Sequence, residues 1–257
     1  MTDIASHRGG ALLWPENSRI AFENTARLAV EQVEFDVHPS RDGQLVVIHD
    51  ATLERTTDGS GPVAMQDWAA LQKLVLRGAE GQRMLLLDEV IDIFKPTPIL
   101  LRLEIKPDSQ RRPYPNHAAA IVAALRRAGM LERTIITSFQ IESLVEVSEH
   151  GRVRERIWLV APDVQRDIGG VAGIVATARA QGIGMVGLNQ RVLERGVVTA
   201  LREAGLKVGG WACNDAEAIG RMFALGVDVF TTDRPDLAIA ARAALAMPAP
   251  SGTRRTG

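Results

Sequence analysis

Ionisable side chains stand at or beside the ends of predicted β-strands throughout the first 106 residues of this 257-residue chain. A hydrophobic core needs no such groups, because burying a charge costs several kcal/mol unless it is paired or binds a metal. The set combines histidines with carboxylates and cations, so we predict a metal site that binds an anion and two imidazoles that move protons. The residues concerned are His7, Arg8, Glu34, Asp36, His49, Glu104 and Lys106.

The three acidic residues of this set are expected to face one common space. Glu34 and Asp36 lie two positions apart in a predicted strand, so their side chains point the same way. Glu104 and Lys106 have the same relation in a later strand. Converging carboxylates form an oxygen-only site, which suits one Mg²⁺ or Ca²⁺ better than zinc. The alternative is a set of internal salt bridges that join Glu104 to Lys106 or to Arg8.

Two of the five histidines are candidates for catalysis. His7 and His49 each end a strand beside acidic residues, and imidazoles near one metal can serve as acid and base at neutral pH. The other three lack such neighbours, and we predict surface or helix positions for His38, His117 and His150.

The predicted substrate contacts come from several strand ends. Arg8 and Lys106 are expected to bind phosphate, since arginine offers a planar fork and lysine a point charge. Trp211 and Phe139 lie at later strand ends, where they either pack in the core or line the pocket; we count Trp211 among the substrate contacts. Cys213 has no evident base partner and is predicted to pack as a small hydrophobic residue.

The tetrapeptide Pro15-Glu16-Asn17-Ser18 precedes the first predicted helix. Asn17 or Ser18 is expected to cap that helix by accepting a backbone hydrogen bond. Glu16 and Asn17 could serve only the loop or could support the site, and the sequence favours neither role.

Short β-rich runs alternate with amphipathic stretches of helix length. The gap after Val37 is too short for a parallel crossover, which needs about a dozen residues. Residues 40–44, Ser-Arg-Asp-Gly-Gln, should therefore form a turn that returns 45–49 antiparallel and brings His49 level with Phe35. The predicted strands are 3–7, 33–37, 45–49, 99–105, 134–138, 155–160, 184–188, 207–213 and 228–231. The predicted helices are 18–30, 88–94, 116–128, 140–149, 168–181, 191–204, 215–225 and 235–246.

Eight strand–helix units remain when the hairpin is set aside. This pattern predicts an α/β fold, a (β/α)8 TIM barrel, with an open doubly wound sheet as the alternative. Residues 51–87 interrupt the alternation and are expected to form a small insertion over the C-terminal mouth of the barrel. We predict one domain over residues 1–246 and a disordered tail over 247–257.

Bulk properties exclude several classes of function. The net charge is −1 and aromatic residues make up 4%, so no basic or stacking surface for nucleic acid is expected. One cysteine precludes an internal disulfide, and neither a signal peptide nor an apolar run of roughly 18 residues is visible. We expect a cytoplasmic protein with a small-molecule partner and without a membrane span; the sequence specifies no oligomeric state.

The order and spacing of these motifs resemble the glycerophosphodiester phosphodiesterases, a group of barrels related to phosphatidylinositol phospholipase C. The family pattern runs His-Arg-Gly, Pro-Glu-Asn-Thr, Glu-Leu-Asp-Val, Thr-x-Asp-Gly, Val-Val-x-His-Asp, Thr-Thr-x-Gly, Glu-Ile-Lys and Thr-Asp-Arg-Pro. It extends here from residue 7 to about 236. It stands as His7–Gly9, Pro15–Ser18, Glu34–Val37, Ser40–Gly43, Val46–Asp50, Thr56–Gly59, Glu104–Lys106 and Thr232–Pro235.

The resemblance implies a TIM barrel that hydrolyses glycerophosphodiesters to glycerol 3-phosphate and an alcohol. It implies a divalent metal on the acidic trio, acid/base roles for both strand-end histidines, and phosphate binding by Arg8 and Lys106. Ser18 and Phe35 replace threonine and leucine of the pattern without removing a functional group. The alternatives are a relative that acts on lysophospholipids and a non-catalytic phosphate-binding barrel. A sugar-phosphate aldolase is disfavoured, because carboxylates around Lys106 would raise its pKa.

Overall fold

A computed structural model describes residues 2–79 and 81–246, and the predicted disordered tail over 247–257 lies outside the described residues. The strands in these ranges are β1 Asp3–His7, β2 Gln32–Pro39, β3 Leu45–Val47, β4 Leu85–Leu86, β5 Leu100–Ile105, β6 Thr134–Ser138, β7 Glu155–Val160, β8 Met185–Asn189, β9 Lys207–Trp211 and β10 Val229–Thr232. The α-helices are α1 Arg19–Thr25, α2 Trp68–Leu71, α3 Leu87–Phe94, α4 His117–Ala128, α5 Ile141–His150, α6 Pro162–Asp167, α7 Gly170–Ala180, α8 Arg195–Glu203, α9 Ala216–Leu225 and α10 Pro235–Ala246.

Eight of the strands form a closed parallel barrel. They pair in the order β1–β2–β5–β6–β7–β8–β9–β10, and β10 pairs again with β1. Helices lie between successive barrel strands, so the predicted TIM barrel is confirmed and the open doubly wound sheet is excluded. No helix within the described ranges combines the length and apolar character needed to cross a membrane.

Alternation along the strands divides the core into two parts. Residues such as Leu101 and Leu103 of β5 belong to the large apolar cluster that also contains helix residues. A smaller cluster includes Ala5, Ile157 and Val229, which lie on barrel strands. Parallel strands covered by helices bury both faces. A residue that alternates with Leu101 and Leu103 along β5 therefore faces the barrel interior.

The predicted hairpin is confirmed. β3 pairs antiparallel with β2, and Val37 lies opposite Val47. The turn closes where the backbone N–H of Ser40 donates to the carbonyl of Gln44 at 2.9 Å. β3 ends at Val47, earlier than the predicted 45–49, and it also pairs with β4, which the sequence analysis does not predict.

The insertion between β3 and β4 has a small apolar core of its own. Leu53, Val63, Leu71 and Met84 are buried in it. The segment reaches the rim of the barrel mouth through Arg55, whose guanidinium hydrogen-bonds to Asp50 of the same segment and to Glu16 of the loop before α1. The boundaries of a single domain over residues 1–246 stay a prediction.

α7, Gly170–Ala180, lies within the predicted helix 168–181. α6, which the sequence analysis does not predict, precedes it, and the two helices are separated where Gly169 and Gly170 adopt positive φ angles of 86° and 71° that interrupt a right-handed helix. α1 is likewise shorter than predicted and ends at Thr25, although its predicted cap is correct: Ser18 Oγ accepts from the backbone N–H of Ala21.

Truncation of a core leucine should test the barrel packing. Leu101→Ala removes a fully buried side chain from β5 and should lower the free energy of unfolding by about 2–5 kcal/mol. The matched control is Leu245→Ala in α10, where the side chain is 69% exposed and the loss should stay within about 0.5 kcal/mol. Urea denaturation of both variants measures the difference, and equal losses would contradict this packing.

Candidate active site

Strand register brings the predicted site residues together at the carboxyl ends of the barrel strands. His7 lies opposite Glu34, and Asp36 lies opposite Glu104. Lys106 directly follows β5. A pocket of about 290 Å³ opens there, and its lining includes His7, Arg8, Glu34, His49, Glu104, Lys106 and Trp211. Asp36 is fully buried and completes the predicted set.

Three buried carboxylates form the centre of the site. Ligand oxygens of Glu34, Asp36 and Glu104 all lie within 4.8 Å of one another. Asn17 Nδ2 donates to Asp36 Oδ2 at 2.9 Å, whereas the buried Asp36 Oδ1 has no hydrogen-bond partner among the described residues. The backbone N–H of Arg8 donates to Glu34 Oε2 at 3.1 Å. An all-oxygen donor set with a spare buried acceptor fits a hard cation, so the trio can hold a divalent metal ion.

Lys106 offsets part of the negative charge. Its Nζ donates to Glu104 Oε1 at 2.7 Å and lies 3.5 Å from Asp36 Oδ1, so the salt bridge of the alternative interpretation is present. Burial and repulsion from Asp36 nevertheless raise the pKa of Glu34. Burial acts in the same sense on Asp36, but Lys106, His49 and Arg8 outweigh it and lower its pKa. A cation bound between the three carboxylates would lower the pKa of Glu34.

Arg102 is a second buried cation, and it lies in β5 before Glu104. It shares a face of β5 with Glu104, borders the pocket and is 1% exposed. Its Nε and Nη1 have no hydrogen-bond partner within the described part of the chain. Burial lowers its pKa to about 10, so the guanidinium remains charged at neutral pH.

His7 is anchored by the last barrel strand. Its Nδ1 lies 2.5 Å from Oδ1 of Asp233, and its Nε2 lies 3.7 Å from Glu34 Oε2. Asn214 fixes Asp233 from the other side, through Nδ2 to Oδ2 at 2.5 Å. Burial lowers the pKa of His7, but the negative charges of Glu34 and Asp233 outweigh it and the net shift is upward. The site therefore favours an Nδ1–H tautomer whose Nε2 is turned to the acidic cluster.

His49 is anchored in a similar way from within its own loop. Its Nδ1 lies 2.6 Å from Asp50 Oδ1, and Arg55 Nε donates to the other carboxylate oxygen, Oδ2, at 2.6 Å. The hydrogen bond from Arg55, with that from His49, lowers the pKa of Asp50 to about 2 despite partial burial. Asp50 is thus an ionised acceptor, and Nδ1 of His49 carries the proton that it accepts.

The prediction that His38 lies on the surface or in a helix is wrong. It lies in β2 with 1% exposure, and its Nε2 donates to the backbone carbonyl of His49 at 3.0 Å. The Tyr114 hydroxyl lies 3.2 Å from its Nδ1. Burial lowers the pKa of His38 to about 4, so it is neutral at neutral pH and holds the backbone at His49. The predicted helix positions of the other two histidines are confirmed. His117 begins α4, where it is buried, and His150 ends α5.

The two predicted phosphate ligands keep their charges. The carboxylates around Lys106 raise its pKa although burial opposes this. Arg8 Nη1 donates to Glu16 Oε1 at 3.1 Å, and its Nε lies 3.3 Å from Asp36 Oδ2. The loop that contains Arg8 and Gly9 packs closely on α1. A Cβ atom added at Gly9 would lie only 2.8 Å from the Cβ of Ala21.

One wall of the pocket is aromatic. The rings of Phe139 and Trp211 meet edge to face with centroids 5.6 Å apart, and both side chains border the pocket. Trp211 Nε1 donates to the carbonyl of Gly187 at 3.2 Å, which leaves its ring as an apolar surface. Cys213 is fully buried, as predicted, and burial raises the pKa of its thiol to about 12.

Four supporting residues receive no role from the sequence alone: Asp233, Asn214, Asp50 and Arg55. Asp233 directly follows β10, and its position at a strand end is the signal that could have identified it. Asn17 and Glu16, whose roles the sequence leaves open, bind Asp36 and Arg8 respectively and so support the site.

Comparison with known proteins identifies a family for this chain. Residues 7–237 match the glycerophosphoryl diester phosphodiesterase family. A glycerophosphodiester phosphodiesterase of Caldanaerobacter subterraneus subsp. tengcongensis is 29% identical over 247 residues, which cover 93% of this chain and 96% of that protein.

Solved structures extend the comparison to the fold. A provisionally assigned glycerophosphoryl diester phosphodiesterase from Agrobacterium tumefaciens str. C58 superposes with a TM-score of 0.93 at 38% identity, over 96% of this chain and 100% of that one. An Oleispira antarctica phosphodiesterase, in complex with the product sn-glycerol-3-phosphate, has a TM-score of 0.77 at 21% identity, over 95% and 97% of the two chains. The chain therefore belongs to the glycerophosphoryl diester phosphodiesterase family of enzymes.

Proposed function

We propose that this enzyme hydrolyses glycerophosphodiesters to glycerol 3-phosphate and an alcohol by metal-assisted acid/base catalysis. The observation that carries the proposal is the meeting, in one pocket, of three buried carboxylates and two imidazoles whose Nδ1 atoms are each tied to a further carboxylate. A barrel that only bound phosphate would need neither tethered imidazole. The product present in the Oleispira antarctica complex is the one proposed here.

The acidic trio is proposed to hold one Mg²⁺ or Ca²⁺ through Glu34, Asp36 and Glu104. When bound there, such a cation supplies charge that polarises the phosphate oxygens and stabilises the transition state. Asn17 and the backbone N–H of Arg8 orient two of the ligands through the hydrogen bonds described above. Oriented ligands of this kind lose less freedom when the ion binds.

The substrate phosphate is proposed to lie against Arg8 and Lys106. Both are cationic side chains that border the pocket beside the acidic cluster. Trp211, with its aromatic neighbour, offers an apolar surface to the carbon atoms of the glycerol or of the alcohol.

His7 and His49 are proposed to transfer the protons. Their Nδ1 atoms face Asp233 and Asp50, so the Nε2 atoms are the ones available to substrate. One imidazole removes the proton from the attacking oxygen, and the other protonates the leaving alcohol. The anchoring carboxylates hold each ring in one tautomer.

We also propose a cytoplasmic location and a small-molecule substrate. A single cysteine and a net charge of −1 support them, since neither a disulfide framework nor a basic surface for nucleic acid is available.

Metal dependence is the first test. Activity should be lost in EDTA and return with Mg²⁺ or Ca²⁺, and calorimetry should show one ion bound. Asp36→Asn should weaken that binding at least about 10-fold, because changes even in groups around metal ligands cost that much. Asp88→Asn, an exposed carboxylate at the start of α3, is the matched control and should leave the Kd unchanged. Undiminished turnover after exhaustive chelation would refute the metal.

Replacement of the histidines tests the chemistry. His7→Ala and His49→Ala should each lower kcat by roughly 10²–10⁴-fold, the usual worth of a general acid or base. Metal affinity should stay near the wild-type value, as calorimetry can check. Cys213→Ala is the control and should leave kcat within a few-fold. Full turnover in both histidine variants with an inactive Cys213→Ala protein would replace this mechanism with a thiol one.

The phosphate ligands behave differently from the proton carriers. Lys106→Ala should raise KM for a glycerophosphodiester and also lower kcat, because the charge on phosphate grows in the transition state. Steady-state kinetics over a range of substrate concentrations separates the two effects. An unchanged KM and kcat would remove Lys106 from the phosphate site.

A further inference from the structure

Arg55 stands where the insertion meets the rim of the active site. Its Nη1 and Nη2 donate to the two oxygens of Glu16 at 2.7 and 2.8 Å. Its Nε and Nη2 donate to the two oxygens of Asp50 at 2.6 and 3.0 Å. One guanidinium thus bridges two carboxylates, each through two hydrogen bonds, and only arginine has the planar fork to do so.

Each of these carboxylates also binds a residue that has a proposed role in the reaction. Asp50 accepts from Nδ1 of His49, and Glu16 accepts from Nη1 of Arg8. A continuous chain of charged contacts therefore links one proton carrier to one phosphate ligand through Arg55.

We propose that Arg55 is a positioning residue that fixes His49 and Arg8 relative to each other through Asp50 and Glu16. The inference rests on the proposed function of the site. Arg55 touches neither the carboxylate trio nor the reacting atoms, so it acts only through its two partners.

The backbone around Arg55 is held firmly enough for this role. Leu53 and Thr57 on either side are fully buried, and the N–H of Thr57 donates to the carbonyl of Leu53 at 3.0 Å. The N–H of Arg77 donates to the carbonyl of Thr56 at 2.9 Å. The small apolar core of the insertion thus supports the arginine, and its folding is coupled to the geometry of the site.

An exposed ion pair usually contributes little to stability, and the Arg55 side chain is 47% exposed. A role in positioning predicts a different result, namely a loss of turnover without a loss of stability. The chain offers a matched control: Arg41 also binds one carboxylate, that of Asp67, through two nitrogens, is 61% exposed, and lies away from the pocket lining.

The decisive comparison is Arg55→Gln with Arg41→Gln. We expect Arg55→Gln to lower kcat about 10–100-fold, the usual effect of losing a group that orients a catalytic residue. The thermal stability of Arg55→Gln should match that of the wild type, and its metal Kd should match within a few-fold. Arg41→Gln should match the wild type in every measurement. Arg55→Lys should recover only part of the activity, because an ammonium cannot engage both carboxylates in pairs.

A double-mutant cycle tests the route. If Arg55 acts through Asp50, the kcat loss on Arg55→Gln should shrink several-fold in an Asp50→Asn background. Additive losses would show that Arg55 does not act through Asp50.

A measurement independent of turnover separates this inference from the proposed function. Long-range ¹H–¹⁵N spectra of the metal-free protein should show His49 as the Nδ1–H tautomer in the wild type and in Arg41→Gln. Arg55→Gln should shift it toward a mixture of tautomers. A wild-type protein without hydrolytic activity would overturn the proposed function and leave this test intact. Identical His49 spectra and equal kcat in both variants would overturn the role of Arg55.

Discussion

Three carboxylates confined to a buried space impose the constraint from which the site follows. Their ligand oxygens lie within 4.8 Å of one another, and their repulsion is large in a medium that excludes water. Neighbouring groups offset that repulsion: the ammonium of Lys106, the guanidinium groups of Arg8 and Arg102, and the amide of Asn17. Burial and the charge of Asp36 nevertheless raise the pKa of Glu34. Buried carboxylates that converge in this way can hold a cation.

Closure of the barrel is the second requirement. His7 ends β1 and Asp233 follows β10, so the two halves of this hydrogen-bonded pair are 226 residues apart in sequence. They meet because β10 pairs with β1. His7 therefore acquires this orientation only when β10 has paired with β1, and fragments that lack the last strand cannot form the hydrogen bond to Asp233.

Local rules explain what the sequence predicts well. The side-chain period of two places Glu34 and Asp36 on one face, and the Asp-Gly turn sets the hairpin register that carries His49 to the mouth. What the sequence leaves out depends on distant partners. The two-residue β4 exists only through its pairing with β3, and the burial of His38 follows from Tyr114, which lies 76 residues later. The composition of the chain and the spacing of its residues do not reveal such contacts directly.

The paired ends of the insertion have a consequence for how such an enzyme can diversify. Val46 lies opposite Leu86 and Val47 opposite Leu85, so the segment leaves the barrel and returns to it at adjacent points. Lengthening a loop between fixed ends costs little free energy. The loops of the insertion that follow Thr57 can thus change in length while His49, Asp50 and Arg55, and the carboxylates of the barrel strands, keep their places. Substrate range can therefore evolve in these loops faster than in the strands that bear the three buried carboxylates.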